Sequence, residues 1–216
     1  MVFTTLGEAK YYHTILMNVH QIKKFHPGAI IFVGDLGFTE SQFNELADEG
    51  VAVYPMKMFD DVEYKMLSKP LFVLNVLYMT GMPVLFLDAD AVLVNYFDIE
   101  IGEYDAIVTT RQSRNGRINS GVFIIRSMPF VNEYLSRAIY NYGINKKYLA
   151  EQSALIQTVD SGKYNVREVP CDIYNYPKIE SGIPNDVIVA HLKSGRYLDP
   201  DIIKILKRKI NGIRSD

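Results

Sequence analysis

Residues 70 to 87, PLFVLNVLYMTGMPVLFL, run for 18 positions without a charged side chain. That is close to the length of a membrane-spanning helix. Thr80-Gly81 and Pro83 interrupt the run in its middle, and both are strong breakers of a regular element. The first half therefore reads as a buried helix and the second as a buried strand. A helix leading straight into a buried strand belongs to a soluble α/β domain rather than to a membrane span. The chain has 216 residues, 48% of them apolar, enough for one such domain with a sizeable core.

The same alternation extends through the first half. VFTTL (2–6), AIIFVGD (29–35) and VAVYP (51–55) read as strands. Between them, 8–25 carries Ile15, Val19 and Ile22 at helical spacing. The segment 39–50 opens on Thr39 with Gln42 three residues on, a capping box, and stops at Gly50. Strands alternating with helices imply a largely parallel sheet. After residue 100 the rhythm changes. YDAIVTT (104–110) and INSGVFIIR (118–126) read as strands with no long helix between them. Helices at 128–143 and 148–159, late strands in NVREVP and DVIVAHL, and an amphipathic helix at 199–212 complete a mixed second half. The fold expected is α/β, one domain over 1–216, with a nucleotide-binding parallel half.

The charge-free run ends in VLFLDADAVLV (84–94), where Asp88 and Asp90 stand one residue apart. In open α/β sheets ligands bind beyond the carboxyl ends of the strands, which is where Asp88 falls. Carboxylates at i and i+2 can face one side. They repel there unless one is protonated or a cation lies between them. Mg²⁺ and Mn²⁺ take oxygen ligands and complete their shells with substrate phosphates. The alternative is a solvated turn or a helix N-cap; the apolar runs on both sides favour a metal–diphosphate site.

Two families place Asp-x-Asp after a strand. In dehalogenase-type Mg²⁺ phosphatases the motif sits on the first core strand and needs a second acidic pair downstream. Here three strands precede it, and no adjacent acidic pair follows. GT-A glycosyltransferases carry it inside the chain, as here. FTTL with Tyr12, SKPLFVLNVL before VLFLDAD, INSGVFIIR, Glu151-Gln152 and AHLKSG (190–195) follow in order. In these segments the chain resembles the glycogenin-like, family 8 type of retaining glycosyltransferase, a type that also occurs as compact domains in large algal viruses. Two segments depart from its pattern: Gly195 lies four residues after His191, and Gly7-Glu8-Ala9 replaces Thr-Asn-Asp.

The resemblance implies a UDP-sugar donor, Mn²⁺ (or Mg²⁺) and a glycan or glycoprotein acceptor. It implies Thr5, Leu6 and Tyr12 at the uridine, and Lys69, Asn119 and Ser120 near the donor. It also implies Asp88-Ala89-Asp90 with His191 at the metal, Lys193 or Arg196 at the phosphates, and Glu151 or Gln152 near the anomeric carbon. Each has a plainer reading: Tyr12 as core, Lys69 as a solvated side chain, His191 as the filled end of a strand. Asn119 and Ser120, if buried, need partners from a sugar or from the turn before Gly121. Arg111, Arg114 and Arg117 form a basic loop over a diphosphate or a solvated hairpin, with the hairpin favoured. Asp35 contacts a nucleotide or caps the next segment. A non-catalytic sugar-nucleotide module is a third reading of the whole chain.

Lys plus Arg is 23 and Asp plus Glu 25, a balance that gives no pull toward nucleic acid or an anionic membrane. The one cysteine, Cys171, excludes an internal disulfide and suggests a reducing compartment. The start, MVFTTLGEAKYY, lacks the regions of a secretory leader. A soluble, cytoplasmic protein is expected, in infected host cytoplasm if the source is viral.

Overall fold

The computed structural model describes residues 1–56, 65–111, 117–145, 150–192 and 199–211. The first-half strands are β1 (Val2–Gly7), β2 (Ile30–Asp35), β3 (Ala52–Pro55) and β4 (Val84–Asp88). They pair in parallel in the order β3-β2-β1-β4. The helices between them are α1 (Tyr12–Phe25), α2 (Glu40–Asp48) and α3 (Lys65–Thr80). α2 starts as its sequence predicts: the Thr39 side chain accepts from the Gln42 amide at 3.3 Å, and Gln42 Oε1 accepts from the Thr39 amide at 3.0 Å. Pro70 lies inside α3, so Lys69 belongs to the body of the helix. The proline leaves one backbone bond of the helix unmade.

The second half makes the sheet mixed. After a short β5 (Ala91–Leu93) come β6 (Ala106–Arg111) and β7 (Arg117–Ile125). β7 runs antiparallel to both β4 and β6, and β8 (Val166–Pro170) is parallel to β6. The sheet order is β3-β2-β1-β4-β7-β6-β8. Arg111 stands opposite Arg117 in a hairpin; Arg114 lies outside the described residues. α4 (Met128–Asn145), α5 (Ala150–Asp160), the short α6 (Cys171–Tyr174), β9 (Val189–His191) and α7 (Pro200–Ile210) follow.

Side-chain alternation sends the sheet into two cores. Phe3, Leu85 and Leu87 pack with Ile15, Val19 and Ile22 of α1 and Leu46 of α2. Val84 and Phe86 pack on the other face with Phe72, Val73 and Val76 of α3, Phe130 and Tyr134 of α4, and Leu155 of α5. Each fully buried side chain of this kind stabilises the fold by about 1.5–3 kcal/mol. Asp88 shares the parity of Val84 and Phe86, so it ends β4 on the side of α3 and α5. A third cluster joins Val92 and Val94 to Ala190, Leu192, Ile202 and Leu206, docking α7 under the β5–β9 ribbon. Among the described residues no helix is long and apolar enough to cross a membrane.

Candidate metal centre and active site

β4 delivers Asp88 to its carboxyl end in the middle of the sheet, and the chain turns at once into β5. β5 pairs antiparallel with β9, Ala91 opposite His191, and the Leu192 amide donates to the Asp90 carbonyl at 2.7 Å. This ribbon brings a histidine from late in the chain to the aspartate pair. His191 Nε2 lies 3.0 Å from Asp90 Oδ1 and 3.9 Å from Asp88 Oδ2. One ligand atom from each of Asp88, Asp90 and His191 falls within 4.8 Å of the other two. Two carboxylates and one imidazole suit Mn²⁺ or Mg²⁺ with room left for phosphate oxygens. Burial pushes the Asp90 carboxyl up, but the hydrogen bond and charge of His191, with the charge of Lys69, together hold it below its ordinary value.

Gly121 makes this convergence sterically feasible. A Cβ there would meet His191 Cε1 at 2.5 Å, and Asp88 Oδ2 and Asn119 Oδ1 at 2.9 Å each. It sits where β7 slips its register on β6: Val108 pairs with Phe123, but Thr109 with Asn119. The resulting bulge is bridged by the Thr109 hydroxyl, which reaches the carbonyls of Asn119 (3.0 Å) and Val122 (3.1 Å). Gly7 plays a similar part across β1, where a Cβ would lie 2.9 Å from that of Ala89.

Behind the aspartates lies a buried charged network. Lys69, 8% exposed, places Nζ 2.8 Å from Asp88 Oδ1 and 3.4 Å from Glu151 Oε2, and donates to the Ser120 carbonyl at 3.1 Å. Burial alone would lower its pKa; the two carboxylates outweigh that and hold it above the usual lysine value. Glu151, 3% exposed, accepts from Ser120 Oγ at 2.9 Å and from the Tyr134 hydroxyl. Burial raises its pKa, against the pull of Lys69. One ammonium faces Asp88 and Glu151 with Asp90 nearby, so with the His191 ring neutral excess negative charge remains at the site whether or not Glu151 is ionised.

The network answers several questions the sequence leaves open. Lys69 is buried and paired, not solvated. The partners of Asn119 and Ser120 come from the protein: the Gly121 amide and Asn175 for the first (2.9 and 2.7 Å), Glu151 for the second. Asp35 caps a turn, accepting from the amides of Gly37 and Phe38 at 2.6 Å each. Tyr12 is 4% exposed and edge-on to Phe38, so its ring lies in the core, while the neighbouring Tyr11 is half-buried and flanks Gly7. Leu6 is buried, and the buried Thr5 hydroxyl has no hydrogen-bond partner among the described residues. Gln152 is half-buried beside Glu151. Lys193 and Arg196 lie outside the described residues. Asn175 is absent from the sequence reading, yet it is 1% exposed and bonds His191 Nδ1 at 2.5 Å. A lone Asn after CDIY carries no local signal of such a role.

No protein-family model and no curated protein matches the chain. Solved structures do. Galactosyltransferase LgtC, solved with donor and acceptor sugar analogues, matches with a TM-score of 0.65 at 11% identity, over 100% of this chain and 97% of LgtC. A glycosyltransferase involved in glycosylation of the major capsid of PBCV-1 matches with a TM-score of 0.65 at 12% identity, over 96% and 100%. The chain has a GT-A-like fold. GlyE of Streptococcus pneumoniae TIGR4, also a glycosyltransferase, matches with a TM-score of 0.64 at 16% identity. The likeness covers 98% of this chain and 63% of GlyE, so the chain spans less than two thirds of that relative. At these identities the likeness speaks for the fold, and the chemistry rests on the site.

Proposed function

We propose that the protein is a metal-dependent, retaining glycosyltransferase that moves a hexosyl or deoxyhexosyl group from a UDP-sugar to a hydroxyl of a glycan or glycoprotein. The observation that carries this reading is the Asp88–Asp90–His191 cluster beyond the carboxyl end of β4. The glycosyltransferase neighbours support the same class. Asp88, Asp90 and His191 would hold Mn²⁺ or Mg²⁺. Bound there, such an ion neutralises charge on a diphosphate leaving group.

The other roles belong to the chain's own residues. Lys69 pins Asp88 Oδ1 and leaves Oδ2 on the side of His191. Thr5, whose hydroxyl has no partner among the described residues, and Leu6 beside it lie near the end of β1, where the uridine would sit, with Lys193 or Arg196 at the phosphates. Ala89 keeps the backbone of the motif close to β1. In the transfer, the bond from the anomeric carbon to the phosphate oxygen breaks, a bond to the acceptor oxygen forms on the same face, and the acceptor proton passes to the departing phosphate. Glu151 has both oxygens occupied by Tyr134, Ser120 and Lys69, so its part is to hold the scaffold. Gln152 is the member of the pair left to face the sugar.

The test is a thermal-shift panel of nucleotide sugars with and without Mn²⁺, followed by product analysis. UDP plus glycoside is expected. Free inorganic phosphate would indicate the phosphatase reading, and Mn²⁺-dependent binding without turnover a binding module; either overturns transfer.

A further inference from the structure

The orientation of a side-chain amide and the tautomer of a histidine are ordinarily assigned rather than seen. Here a chain of contacts starting from a backbone N–H fixes both. The Gly121 amide can only donate, and it points at one end of the Asn119 side chain at 2.9 Å. That end is therefore the carbonyl oxygen, Oδ1. One end of Asn175 approaches the same oxygen at 2.7 Å and Thr109 Oγ1 at 3.2 Å. The hydrogen of that hydroxyl is directed to the backbone carbonyls of the bulge. The Asn175 atom facing both must therefore be its amino group. Its other end, an oxygen that only accepts, meets His191 Nδ1 at 2.5 Å. Nδ1 then carries a proton whatever the charge of the ring, so the position that can give up a proton to a metal ion is Nε2, 3.0 Å from Asp90 Oδ1. Asn175, Thr109, Asn119 and His191 are all at least 95% buried, so water does not easily replace a lost link.

We infer that Asn175 is a positioning residue: it sets the His191 tautomer and ring orientation, so that Nε2 is preformed as a metal ligand, and ties that ligand to the β7 bulge. This rests on the reading of Asp88, Asp90 and His191 as a metal site. Partners of this kind on a metal-bound histidine alter affinity by about 10- to 100-fold when removed. The two ends of Asn175 have separable jobs. The oxygen serves His191, and the amino group serves Asn119.

The experiment compares wild type, Asn175→Leu and Asn175→Asp by calorimetric titration with Mn²⁺ alone, with melting temperatures measured alongside. ¹⁵N spectra of the His191 ring are recorded in the metal-free protein above the histidine pKa. Asn175→Leu should bind Mn²⁺ about 10- to 100-fold more weakly. Asn175→Asp keeps an acceptor for Nδ1–H but places an oxygen against Asn119 Oδ1. It should melt lower than wild type and bind Mn²⁺ within a few-fold of it. Wild type should show the proton on Nδ1. Affinity that follows melting temperature in both variants, or a proton on Nε2 in wild type, overturns the inference and leaves the metal site standing. No Mn²⁺ binding by wild type overturns both.

Discussion

Gly121 and His191 are in contact: a methyl group on Gly121 would stand 2.5 Å from His191 Cε1. Real Cβ atoms do not approach so closely, so the ring or the bulge must move. Gly121→Ala is expected to fold, with an overpacking cost of about 1–3 kcal/mol. Its Mn²⁺ affinity should fall at least about tenfold, because the displaced ring no longer meets Asp88 and Asp90. Calorimetry with a melting curve checks this; unchanged affinity would mean that His191 moves without consequence for the site.

Lys69 balances two carboxylates inside the protein. Lys69→Met should cost about 3–5 kcal/mol, the usual result of leaving a buried charge unpaired. Lys69→Met combined with Glu151→Gln should lose less than the sum of the single variants, because the second change removes one of the stranded charges. Urea denaturation of the four proteins measures the coupling. Strict additivity would show that the 3.4 Å contact to Glu151 carries no energy.

Away from the site, Glu133 is held by Arg137 at 2.5 Å, Lys163 at 3.1 Å and the Tyr164 hydroxyl at 2.9 Å. The bond from Arg137 leads, and together they lower its carboxyl from 4.5 to about 2. A depressed folded-state pKa stabilises the protein above the unfolded value, and that stabilisation is lost as pH falls toward 2. Lys163 is 61% exposed, so solvent screens the interaction and its worth at neutral pH is about 1 kcal/mol. Glu133→Gln should melt about 2–4 °C below wild type at pH 7. The gap should stay constant down to about pH 5 and narrow below it. Melting curves across that range test the sign; a gap that widens on acidification would contradict it.

What the sequence discloses depends on how local each signal is. The first four strands, the Thr39 cap and the position of Asp88 follow from patterns within a few residues. His191 is legible as a metal ligand only through the resemblance, since the ribbon that carries it to the aspartates depends on β5, only three residues long. Tyr12 carries a local signal for its plainer reading as core. It lies three residues before Ile15 on the stripe that continues through Val19 and Ile22, so helical phase alone sends it to the core. Asn119 is flagged by its place in an apolar strand, whereas Asn175 has no such signal. Their roles come from a register slip and from burial, which arise only when β6, β7 and β9 meet.

The central claim is a divalent-cation site that binds a nucleotide diphosphate through Asp88 and Asp90. Titration of UDP into wild type, Asp88→Ala and Asp90→Ala, with and without Mn²⁺, tests it most directly. Wild type should bind UDP tightly only when Mn²⁺ is present, and each variant should lose that Mn²⁺-dependent binding while keeping a cooperative melting transition. Equal UDP affinity in all three proteins, or affinity indifferent to Mn²⁺, would contradict it.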